Sequence, residues 1–207
     1  KRQHQLNAKC RLFSVINSCL FEIPNAIAPS EIDCFLLHIA EPVPMPDKHA
    51  FLSASSSHRW INCQPSAALC AKKPNNSSPY AQQGTDVHSL CEHKVLTALG
   101  QASRDPTESL IWFDEEMEDC TDQYCTYVME QFQETKKLCP DPQVLVEQRL
   151  DFSRWVPDAF GTGDCLIVAD QVLHIIDFKY GFGILVKAEN NPQMMCYPSD
   201  GQVSTII

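Results

Sequence analysis

Residues 161–181 read GTGDCLIVADQVLHIIDFKYG. Two runs rich in Leu, Ile and Val flank Asp170-Gln171, a pattern that predicts a β-hairpin. A turn centred between those two residues pairs positions whose numbers sum to 341, which sets Asp164 opposite Asp177. Directly opposed residues have Cβ atoms roughly 4.5–5.5 Å apart, and two carboxylates that close repel unless a cation or a proton lies between them. Lys179 is two residues past Asp177 and points to the same face. In this register Leu166, Val168, Leu173 and Ile175 share the charged face, while Ile167 and Ile176 line the other. Both faces are apolar, as in a sheet covered by helices. Three charges at one end of such a sheet are costly to bury unpaired. Two readings stand at this point. One is a strand-end salt bridge between Lys179 and one aspartate. The other is a divalent cation held by Asp164 and Asp177, with Lys179 beside a bound water; hard oxygen ligands suit Mg2+ or Mn2+.

Upstream, VLVEQRLDF (144–152) alternates in part and reads as a strand. Before it, Met117, Tyr124, Val128 and Phe132 recur at helical intervals among acidic residues, predicting an amphipathic helix from about Asp114 to Leu138 that Pro140 and Pro142 end. GTDVHSLCEHKVLTALG (84–100) predicts a second helix, capped by Thr85 or Asp86 and stopped by Gly100, with His88 and Glu92 on one face. Residues 72–83 read as a loop rich in turn residues. SASSSHRWINCQPSAAL opens a further helix with Trp60 in the core. After the hairpin, ILVKAENNPQMMCY reads as a short strand or loop leading into a helix near Gln193.

Residues 1–44 are poorly patterned, and PVPMPD (42–47) is a proline-rich break. They read as an upstream extension, with Met45 as a candidate start and 45–207 as the domain. The segment YPSDGQVSTII (197–207) does not continue the helix before it, so the domain reads as truncated. The composition is that of a soluble globular chain: 207 residues, 44% hydrophobic and 20% charged. No run approaches the roughly 18–20 apolar residues of a membrane span. A net charge of −10 provides no global basic field for nucleic acid, so any such attraction has to be local. Eleven cysteines without a CxxC pair read as scattered thiols; a metal module using Cys63, Cys70, Cys120, Cys125 or Cys139 is the rival reading.

Asp164, then thirteen residues on Asp177-Phe178-Lys179, resembles the core of the PD-(D/E)XK nuclease superfamily in its RecB-type branch. His88 in GTDVHSLCE is similar to that branch's upstream histidine, and Gln193-Met194-Met195-Cys196-Tyr197 to its Gln-x-x-x-Tyr motif. Glu147 sits where the branch often has an acidic residue. SSSHRWINCQPSA, GTDVHSLCE, GTGDCLIVAD, HIIDFKYG and AENNPQM together resemble a phage and prophage protein group placed in this superfamily, over about residues 48–197. The resemblance implies an α/β (α+β) restriction-endonuclease-like core: a mixed central sheet flanked by helices, with a β-hairpin carrying the acidic site. It implies Mg2+- or Mn2+-dependent hydrolysis of DNA in a bacterial host cytoplasm. Some RecB-type relatives hold an iron–sulfur cluster through one upstream and three downstream cysteines; here the downstream three are missing and Cys196 is alone, so no cluster is expected. The resemblance implies catalytic roles for Asp164, Asp177 and Lys179, and a metal held by His88, Asp164, Asp177 and the Phe178 carbonyl. Glu147, Glu92, Gln193 and Tyr197 are then supporting or DNA-contacting residues. The alternative is a catalytically inactive relative that keeps the fold for DNA binding or assembly.

Overall fold

The structure is a computed structural model that describes residues 2–5, 13–22, 50–73, 78–153, 156–169, 172–181, 188, 190–197 and 204–205. Two strands open it, β1 (Arg2–Gln5) and β2 (Phe13–Glu22). A 3-10 turn (Ala54–Ser56) leads into the short helices α1 (Ser57–Asn62) and α2 (Pro65–Ala71). The long helices α3 (Pro79–Ala98) and α4 (Glu115–Lys136) follow. Then come β3 (Gln143–Asp151), β4 (Phe160–Ala169), β5 (Val172–Gly181), the single-turn helix α5 (Pro192–Cys196) and the two-residue β6 (Ser204–Thr205).

The helix ends follow local chemistry. Ser78 accepts the Ala81 amide and Pro79 takes the first helical position, where its missing N–H costs nothing. The helix therefore begins at Pro79, inside the stretch expected to be a loop, and neither Thr85 nor Asp86 is its cap. Asp86 is instead buried, and its carboxylate accepts Gln82 Nε2 and the backbone amides of Ile111 and Trp112. Gly100, at φ +76°, ends α3 as expected. Asp114 caps α4 by accepting the Met117 amide, and Glu115, Glu116 and Glu118 crowd its first turn, where the helix dipole favours anions.

The sheet order is β1-β2-β5-β4-β3, with β6 on β2. The hairpin has the expected register, from Cys165 opposite Ile176 to Ala169 opposite Val172. Its turn, residues 170–171, lies outside the described residues, as do 42–47 and 184–187. Cys165, Ile167, Ile176 and Phe178 pack with Val87, Leu90 and Val95 of α3 and with Met117, Tyr124 and Val128 of α4. Leu166, Val168, Leu173 and Ile175 face the other way, toward Ala54, Trp60, Met194 and Tyr197. Each fully buried Leu, Ile, Val, Phe or Met side chain among these contributes about 1.5–3 kcal/mol relative to exposure. At Gly161 a Cβ would stand 2.7 Å from the Ala54 Cβ, so only a bare backbone lets the 3-10 turn approach β4 this closely.

All strand pairings among the described residues are antiparallel, where a mixed sheet was expected. The strand beside β5 is β2, which comes from residues read as a poorly patterned extension and runs against β5 along its whole length. FSVINSCLFE has the aromatic and β-branched residues of a strand, but Asn17 and Ser18 break its alternation. Both are buried because β5 supplies their partners, Asp177 for Asn17 and His174 for Ser18. Among the described residues, no helix is long and apolar enough to cross a membrane.

Candidate metal centre

The site begins with a break in β3. Val144 and Val146 pack on the α3–α4 side, whereas Leu145 and Leu150 pack on the opposite side. A regular strand would put residues 146 and 150 on one face. Glu147, at φ +48°, is the residue out of step. A non-glycine residue in that region costs about 1–2 kcal/mol, and such strain clusters at functional sites. The β3–β4 pairing runs on both sides of it, Val146 to Cys165 and Gln148 to Gly163, but no Glu147–Asp164 pair forms between them. The β4–β5 ladder also stops short of Asp164, at Cys165–Ile176. Asp164 Oδ2 takes up the slack by accepting the Phe178 amide at 2.6 Å.

This break brings two carboxylates to helix α3. His88 Nδ1 lies 3.4 Å from Glu147 Oε1 and 3.6 Å from Asp164 Oδ2. That nitrogen is buried, although the side chain is half-buried, and it makes a well-formed hydrogen bond to neither. Phe178 packs edge-on to the imidazole, ring centroids 6.5 Å apart. One ligand atom from each of His88, Glu147 and Asp164 lies within 4.8 Å of the others. Burial alone would lower the His88 pKa, but Asp164 and Glu147 outweigh it and push it up to about 9. Burial pushes the Asp164 carboxyl up, against the pull of His88, and nearby Asp177 pushes it further. The cluster thus draws positive charge. An imidazole nitrogen without a hydrogen bond, converging on two carboxylate oxygens, is a donor set that fits a divalent cation of borderline hardness.

Asp177 belongs to a second, adjoining group. Its Oδ1 accepts Lys179 Nζ at 2.7 Å and Gln193 Nε2 at 3.0 Å, and its Oδ2 is 3.5 Å from Asn17 Nδ2. Burial would lower the Lys179 ammonium, but Asp177 and Asp164 hold it above its usual range. Gln193 Nε2 also donates to Tyr197 Oη at 2.9 Å, and that hydroxyl donates to the Thr162 carbonyl at 2.8 Å. The strand-end salt bridge expected as the plainer reading is therefore present, and it stands beside the metal-like cluster. The pairing of Asp164 with Asp177 across the hairpin is not made.

Glu92 is half-buried one turn past His88, with no hydrogen bond to it; burial first, then Glu147, raises its carboxyl pKa. Cys63 and Cys70 are exposed, while Cys120 and Cys139 are buried. Among the described residues these cysteines form no cluster of ligand atoms; the group that does is His88, Glu147 and Asp164.

Residues 49–202 match the family described as "Protein of unknown function (DUF2800)". The chain belongs to that family. The matched stretch holds His88, Glu147, Asp164, Asp177, Lys179, Gln193 and Tyr197, and leaves out β2 with Asn17. No solved structure matches the chain. Two residues beside the site were missed from sequence, Asn17 and Arg149. The visible signs were a polar residue interrupting an apolar run, and the lapse of alternation after Val146.

Proposed function

We propose that the chain is a metal-dependent DNA nuclease of phage or prophage origin, acting in the bacterial cytoplasm and hydrolysing phosphodiesters with Mg2+ or Mn2+. The observation that carries this reading is the convergence of His88, Glu147 and Asp164, with the Asp177–Lys179–Gln193 group beside it. Resemblance to the RecB-type branch of the PD-(D/E)XK superfamily supports it in the same residues.

His88, Glu147 and Asp164 would hold the cation, and Asp177 or the Phe178 carbonyl would be added only by rearrangement. The cation would supply Lewis-acid polarisation of the phosphoryl group and acidify a water. Lys179 donates to Asp177 and has further N–H donors to offset charge on the phosphoryl oxygens. Gln193 holds Asp177 in place, and Tyr197 braces Gln193 against β4 through the Thr162 carbonyl. The Phe178 amide fixes the Asp164 carboxylate.

A second reading is an inactive relative in which these charges only brace the sheet, favoured by the Lys179–Asp177 bridge. The test is cleavage of labelled single- and double-stranded DNA with Mg2+, Mn2+ or EDTA, by the natural chain and by Asp164→Asn and Asp177→Ala. Metal-dependent cutting lost in both variants is expected. Folded protein that neither cuts nor binds Mn2+ would overturn the nuclease; DNA binding without cutting would favour the inactive relative.

A further inference from the structure

Arg149 is two residues past Glu147 on β3, so their Cα atoms are separated by roughly 6.6 Å. Leu150 packs on the side away from α3, so Arg149 lies on the other face, the one on which Glu147 meets His88. Its guanidinium lies over the Phe160 ring, Cζ 4.2 Å from the centroid. Its Nε is buried and has no hydrogen-bond partner. Among the described residues, no side-chain hydrogen bond or salt bridge engages this guanidinium.

The nearby acids are already engaged. Glu147 turns to His88; Asp151 accepts the Ser153 amide at 2.8 Å, and Arg149 lies near enough to add to the pull that lowers the Asp151 carboxyl pKa, but not within salt-bridge distance. Other cations are committed: Lys179 to Asp177, and Lys94 to Glu118 and Asp122. In a chain of net charge −10, Arg149 is, among the described residues, a cation beside Glu147 whose guanidinium has no acidic partner within salt-bridge distance. A guanidinium carries five N–H donors in one plane; with Nε buried, the two Nη groups are the pair that matches two oxygens of a phosphate.

We propose that Arg149 is the phosphate seat of this site. It binds the non-bridging oxygens of a nucleic-acid phosphodiester beside His88, Glu147 and Asp164, and Phe160 holds its plane. The proposal rests on the nuclease reading and assigns the residue that receives the substrate backbone.

The test is fluorescence anisotropy of end-labelled single-stranded and duplex DNA on the full chain. Ca2+ would replace Mg2+, and KCl would be varied. Arg149→Gln should weaken binding roughly tenfold and reduce the slope of log affinity against log salt by about 0.7–0.9, the loss of one phosphate contact. Arg149→Lys should restore most of the slope but not the full affinity, because it lacks the fork. Lys137→Gln, at an exposed cation that pairs with Glu134 at the end of α4, should leave the slope unchanged. Folded Arg149→Gln with natural affinity and slope would overturn the seat while the natural chain still binds. Equal effects of Arg149→Gln and Lys137→Gln would also overturn it, since a general field would then account for both. If the natural chain binds neither DNA, the seat and the nuclease reading fail together.

Discussion

His174, buried on β5, shares a short hydrogen bond with Ser18 of β2. Burial pulls its imidazole down from the ordinary 6.5 to about 4. As pH falls, the unfolded chain takes up this proton before the folded one does. The stabilising effect of a neutral His174 is therefore complete above pH 6.5 and is lost as pH drops from there toward 4. The loss is about 2.5 kcal/mol by pH ~4.5, at about 1.4 kcal/mol per unit. His174→Gln keeps a hydrogen-bonding group for Ser18 and should flatten that dependence. Urea midpoints at about pH 7 and about pH 4.5 check it; equal losses in both proteins would mean that other groups carry the acid sensitivity. At this same scale the sequence pointed to most of the site. His88, Asp164, Asp177, Lys179, Gln193 and Tyr197 all stand at it. What it left open was the partnership: Glu147, read as a supporting acid, shares His88 with Asp164, while Asp177 bonds to Lys179 and Gln193.

Elements were most legible where their ends carry their own chemistry. Asp114 before an acidic turn and Gly100 after an apolar one marked α4 and α3 correctly, because a cap is a contact between residues three or four apart. Ser78-Pro79 is equally local, but inside a run of turn residues the proline reads as a breaker rather than as a first helical residue. Asp86 was misplaced for another reason. Its partners, the amides of Ile111 and Trp112, lie more than twenty positions away, on the segment that leads into α4. Asp86→Ala removes the acceptor that ties this segment to α3, and should cost about 2 kcal/mol. Asp86→Asn retains one acceptor oxygen and should lose less. Thermal denaturation of both variants checks this; equal losses would show that the acceptor contributes nothing beyond shape.

For the whole molecule, the sheet depends on β2. Its Ile16 is fully buried among the residues that pack beneath α3 and α4, and its backbone covers the edge of β5 that would otherwise face water. Ile16→Ala should cost about 2–5 kcal/mol in urea denaturation if β2 docks as described. An unchanged midpoint would mean that the matched family stretch is stable without it.

The sequence by itself determined the hairpin, its register and the apolar content of its two faces. A strand's period of two and a turn of two residues are local rules, and the sum of 341 follows from them. It also determined the long helix and the end of the one before it. Only the tertiary structure decided which side of the sheet Asp164 serves, because that depends on the break at Glu147, in the neighbouring strand. It alone brought Asn17 to Asp177 across 160 residues of chain. Contacts between distant segments leave no periodic trace in either segment, so patterns reveal the residues of such a site before they reveal its pairs.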